Sequence, residues 1–168
     1  MKGFTLMEML ISLAIFSILI SIASGAFVRA LRSQRAIVSL ISANDNLSIA
    51  LEQMMREIRT GYQFSITAPD EMEFINADNE FIRYRLEAGF IERGIEDAAQ
   101  GPGVFVYRQI TGANVIVNRF NIGLFGNSFD DGFPPRITLS LSISPNNPYL
   151  STFSIDIQST VSARFIDT

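Results

Sequence analysis

From Met9 to Val28 the chain runs through 20 residues without a formal charge. At about 1.5 Å per residue, a helix of that length matches a hydrocarbon core of about 30 Å, so the pattern predicts one membrane span. Ser12, Ser17, Ser21 and Ser24 fit such a span, because a serine hydroxyl can bond a carbonyl one turn earlier in its own helix. Further on the pattern becomes amphipathic. Ile37, Leu40, Ile41, Leu47, Ala50, Leu51, Met54 and Ile58 recur at helical spacing, while Arg35, Asp45, Glu52, Gln53, Arg56, Glu57 and Arg59 fill the other face. No proline precedes Pro69, and Thr60-Gly61 reads as a stop. One helix from Thr5 to Thr60 is therefore predicted, its second half packed through the apolar stripe on a sheet, with Glu52 and Arg56 as an i,i+4 pair. Ser24-Gly25 marks either a bend in this helix or a place of close packing.

After Gly61 the period changes from 3.6 to two. Strands are expected at 62–67, 72–76, 81–86, 90–93, 104–110, 115–124, 137–144 and 152–165. Turn residues separate them: Pro69-Asp70, Asp78-Asn79, Ala88-Gly89, Gly101-Pro102-Gly103, Thr111-Gly112, 130–135 and 144–148. The fold class is α+β, a long amino-terminal helix on an antiparallel meander. In FIRYRLEAGFIERG a hairpin puts Phe81, Arg83 and Arg85 on one face and Ile82, Tyr84 and Leu86 on the other.

Composition narrows the chemistry. With 168 residues the chain suits one domain plus an appendage. A net charge of −4 and a pI near 4.8 argue against nucleic acid as a partner, since phosphate binding needs clustered Lys and Arg. Cys and His are both absent, which removes thiolate and imidazole metal ligands, disulfides, and every Ser-His or Cys-His catalytic pairing. Arg83, Arg85, Arg93 and Arg108 either line one surface of the sheet or pair with neighbouring acids. No convergent polar site emerges, and no catalysis is expected.

One charge resists the simple reading. Glu8 stands at the edge of the span, where a carboxylate costs up to about 3 kcal/mol and needs a cationic partner. A secretory signal peptide, with Lys2 as its basic region and SIASGA as its cleavage site, leaves Glu8 unexplained, and so does a plain signal anchor.

The stretch Gly3-Phe4-Thr5-Leu6-Met7-Glu8 ahead of the apolar run resembles the prepilin cleavage motif of type IV pilins and of the pseudopilins of type II secretion systems. The resemblance implies a pilin-like fold, cleavage by a prepilin peptidase between Gly3 and Phe4, and N-methylation of Phe4. It also implies that Glu8 pairs with the new amino terminus of a neighbouring subunit during assembly. The physics agrees: the new amine would lie about 6 Å from Glu8 along the helix axis, and a paired buried charge is far cheaper than a lone one.

The organisation so implied is a leader over 1–3, a transmembrane and filament-core half-helix over 4–28, an amphipathic half-helix over 29–60 and an antiparallel β domain over 61–168. The implied partners are the prepilin peptidase, other pilin or pseudopilin subunits, an inner-membrane assembly platform and the lipid bilayer. The implied location is the bacterial inner membrane, amino terminus in the cytoplasm and globular part outside, then a periplasmic or extracellular filament. Arg29, Arg32 and Arg35 against Lys2 and the terminus would by the positive-inside count favour the opposite orientation.

LEQMMREIR (51–59) and QSTVSARF (158–165) are similar to segments of minor pilins and minor pseudopilins of the J-like kind, and the lack of Cys points away from a major pilin with a disulfide-closed loop. Some pseudopilins bind calcium in a globular-domain loop. Among the acidic clusters at 70–73, 78–80 and 127–132, NSFDDG with Asp130 and Asp131 is the candidate, against the alternative of polar turn residues. No other metal or cofactor is expected. The competing functional reading is a secreted or membrane-anchored β-rich binding domain behind an ordinary signal peptide.

Overall fold

In a computed structural model of the chain, residues 3–97, 99–127, 133–147, 150 and 153–164 are described. One helix, α1 (Leu6–Thr60), precedes eight strands: β1 (Tyr62–Ala68), β2 (Glu71–Ile75), β3 (Phe81–Glu87), β4 (Phe90–Glu96), β5 (Phe105–Gln109), β6 (Val115–Phe125), β7 (Arg136–Pro145) and β8 (Ile155–Ser162). The class is α+β with antiparallel pairing throughout. The expected single meander is broken once. Strands β1 to β5 form one sheet in sequence order, and β6 to β8 form a second of three strands. The break falls at Thr111-Gly112, where Gly112 N–H donates to Asn46 Oδ1 at 2.9 Å and so turns the chain toward α1 rather than back along β5.

The chain divides into two compact units, Met1–Val38 and Ser39–Thr168. In the first, the described residues are helical from Leu6 onward and almost wholly exposed, with no helix break at Ser24-Gly25. This helix is long and apolar enough to cross a membrane. Ser17 and Ser21 donate to the carbonyls of Leu13 and Ser17 at 2.8 and 2.9 Å, the back-bonding that lets a hydroxyl sit in lipid.

In the second unit, one core joins helix and both sheets. Leu47, Met54 and Ile58 of α1 meet Phe64, Phe74 and Tyr84, whose rings stack in series at 5.4 and 5.9 Å. Alternation along β7 buries Ile137, Leu139, Leu141 and Ile143 from the other sheet. The apolar stripe of α1 starts later than its spacing suggested. Ile37 and Ile41 are 54% and 55% exposed, and burial begins with Ala43, a residue too small to announce itself as core. The helix ends at Thr60, as the Thr60-Gly61 stop predicts, and Gly61 is required there by close packing. Its backbone has no positive φ, but a Cβ there would stand 2.6 Å from the Phe74 ring.

The β3–β4 hairpin closes through Ala88 and Gly89 with φ of 49° and 82°, the two left-handed residues of a type I′ turn. Alanine is strained at the first of these. Ala88→Asn is expected to raise stability by about 0.5–1 kcal/mol, read as a higher urea midpoint at unchanged slope.

Candidate processing and assembly site

Gly3 and Phe4 precede the helix and are exposed, Phe4 at 86%, and the space where a Gly3 side chain would point is open. The Gly3–Phe4 peptide is therefore presented outside the helical hydrogen-bond ladder, as a bond must be to enter a peptidase cleft.

Thr5 is the N-cap of α1 and Glu8 its third residue. Thr5 N–H donates to Glu8 Oε2 at 2.9 Å, Thr5 Oγ1–H donates to the same oxygen at 3.2 Å, and Glu8 N–H donates back to Thr5 Oγ1 at 3.3 Å. This is a capping box, in which the Thr5 and Glu8 side chains each accept from the other residue's backbone N–H. Such a cap is worth about 1 kcal/mol in water, and the positive end of the helix dipole adds to the carboxylate's stabilisation. The sequence reading left Glu8 without a partner in the uncut chain, and Thr5-x-x-Glu8 was the signal that supplied one. Gly3 and Phe4 thus stand immediately before the first turn, which Thr5 and Glu8 cap, and Met9 to Val28 follow as exposed helix.

The polar residues of the β domain organise around Glu57, which the periodicity had placed on the outer face of α1. It sits at the margin instead, facing the sheet. Arg93 Nε and Asn76 Nδ2 donate to its carboxylate at 3.0 and 3.1 Å, and the Tyr84 hydroxyl donates as well. Burial pushes the Glu57 pKa up, but the bonds from Arg93, Tyr84 and Asn76 outweigh it and hold the group below its ordinary 4.5. Tyr84, buried beside that charge, is pushed well up.

On the opposite face of the five-stranded sheet, Arg83 lies 4.0 Å from the Phe105 ring and donates to Glu73 at 2.7 Å. Arg85 lies 3.6 Å from the Tyr107 ring and donates to Glu92 at 2.9 Å. The four arginines considered together in the sequence divide into two pairs, Arg83 with Arg85 on this face and Arg93 opposite Arg108 across β4 and β5 on the other. Arg93 is on the helix side, and Arg108 is exposed on β5. Glu52 and Arg56 form the expected pair at 2.8 Å, both exposed, where such pairs contribute a few tenths of a kcal/mol at most.

Asp130 and Asp131 lie outside the described residues. Among those described, no group of three acidic side chains is placed to hold a metal ion, and Glu71, Glu73 and Glu80 face arginines instead.

Residues 1–24 match the family described as the prokaryotic N-terminal methylation motif. Together with the long apolar helix that follows, this supports the type IV pilin and pseudopilin resemblance and fits anchoring in a membrane and a place in a pilus or pseudopilus. No curated protein and no solved structure matches the chain.

Proposed function

We propose that the protein is a structural subunit of a type IV pilus or a type II secretion pseudopilus. It enters the inner membrane as a single-span precursor, is cut after Gly3 by a prepilin peptidase, is N-methylated at Phe4 and assembles with other subunits by helix packing. The observation that carries this reading is the methylation motif over residues 1–24, with Gly3–Phe4 exposed just ahead of a capped helix whose Met9–Val28 stretch carries no charge. The assembly platform would act on the anchored form, with the amino terminus in the cytoplasm and the β domain outside. The missing cysteines favour a minor pilin or minor pseudopilin. Secretion, adhesion, twitching and DNA uptake all use this architecture, and the fold does not choose among them.

Mass-spectrometric sequencing of the mature amino terminus tests the proposal. The expected result is N-methylphenylalanine at position 4. A mature protein starting near Ser24 or Ala26 would replace it with the secreted β-rich binding domain, and protease digestion of the β domain from the cytoplasmic side would reverse the orientation.

A further inference from the structure

Immediately after the 20 uncharged residues come Arg29, Arg32 and Arg35, in a chain whose overall charge is −4. All three are exposed on unbroken helix, and among the described residues none has an ion pair or a side-chain hydrogen bond. They have no acid to turn to: after Glu8 the next carboxylate is Asp45, about 15 Å beyond Arg35 along the helix axis. In the β domain, by contrast, Arg83, Arg85, Arg93 and Arg119 each pair with an acid. Three unpaired guanidiniums in one place therefore call for an anion supplied from outside the chain.

Their position says which anion. Spacing of three residues spreads them over about 120° of the helix circumference, and from Arg29 to Arg35 the axis advances about 9 Å. A headgroup layer is about 5–8 Å thick on each side of the hydrocarbon core. Helical side chains lean toward the helix amino terminus, which here is toward the bilayer, and long arginine stems extend that reach. With Met9 to Val28 in the membrane, the flexible stems let Arg35 lean back and Arg29 reach outward, so that all three guanidiniums can meet the phosphate layer of one leaflet. A guanidinium fork matches phosphate oxygens two at a time.

We infer that Arg29, Arg32 and Arg35 form a binding site for the phosphate headgroups of anionic phospholipids in the leaflet next to the β domain. The inference rests on the membrane-anchored reading above. It also gives the excess of positive charge at this end of the span a role other than setting topology. The tether holds the subunit at a fixed depth and is exchanged for subunit contacts when the helix leaves the bilayer.

The test uses the full chain reconstituted in phosphatidylcholine nanodiscs carrying a minority of phosphatidylglycerol, with spin-labelled lipids of each kind as probes. A motionally restricted component with labelled phosphatidylcholine reports insertion. Labelled phosphatidylglycerol is expected to be preferred at least about fivefold. The preference should collapse at about 1 M salt, where screening shortens to about 3 Å, and in R29Q/R32Q/R35Q. It should survive in R56Q/R59Q, which removes charge elsewhere on the same helix.

Restriction of phosphatidylcholine without a preference for phosphatidylglycerol, or a preference that persists in the triple variant, overturns the lipid site and leaves the anchor standing. The absence of any restricted lipid removes both. Displacement of labelled phosphatidylglycerol by millimolar inorganic phosphate would show a free-phosphate site instead, and so overturn the assignment to lipid.

Discussion

Arg93→Met is expected to lower the unfolding free energy by about 3 kcal/mol, measured by urea denaturation of the full chain in detergent. The ion pair with Glu57 is mostly shielded, with 18% and 15% of the two side chains exposed. Removing one member leaves the carboxylate desolvated with only neutral donors, a loss of about 3–5 kcal/mol for a fully buried pair and nearer the lower end for this one. Replacing Glu57 with Leu, Arg93 with Met and Tyr84 with Phe together should recover most of the loss, because no orphan charge or hydroxyl remains. Strict additivity of the single effects would show that the three groups do not act as one network.

The same network makes stability depend on pH in one direction. Glu57 holds its proton less tightly in the folded chain than in the unfolded one, so the unfolded state binds more protons when the pH is between the two pKa values. Its contribution is complete above about 4.5 and is lost as the pH falls through the lower folded value. Glu57→Gln should flatten the acid limb of the stability curve by that amount.

The eight strands were legible in chain order because period-two alternation and turn residues are local signals. Their division into two sheets was not, since alternation tells which face a residue takes and says nothing about which strand lies beside it. The break depends on Asn46 reaching Gly112, a contact across 66 positions. Glu57 was misplaced for a related reason. A carboxylate on a helix margin reads as solvent-facing until Tyr84 and Arg93 arrive from 27 and 36 residues away. Ile37 and Ile41 kept the right spacing, yet spacing cannot show where along a helix the covering sheet begins. The amino-terminal site is the opposite case. The motif over residues 1–24 was readable because its signal is contiguous, and Thr5 was overlooked within it although its cap is equally local.

That cap sharpens what should happen when Glu8 is changed. Glu8→Ala is expected to leave cleavage after Gly3 intact within about twofold, because the scissile bond lies outside the helix and the cap it loses is worth only about 1 kcal/mol. Entry into filaments should fall by more than tenfold, since a buried amine without its counter-ion carries a cost of several kcal/mol. Glu8→Gln separates the two roles. An amide oxygen still accepts from Thr5 and can complete the capping box, but it supplies no charge to a neighbour's amine. Quantitative immunoblotting of processed and filament-incorporated protein distinguishes the outcomes: normal processing with failed assembly in both variants supports the charge pairing. Assembly retained in Glu8→Gln and lost in Glu8→Ala would assign Glu8 to the cap alone, and retention in both would remove it from assembly altogether.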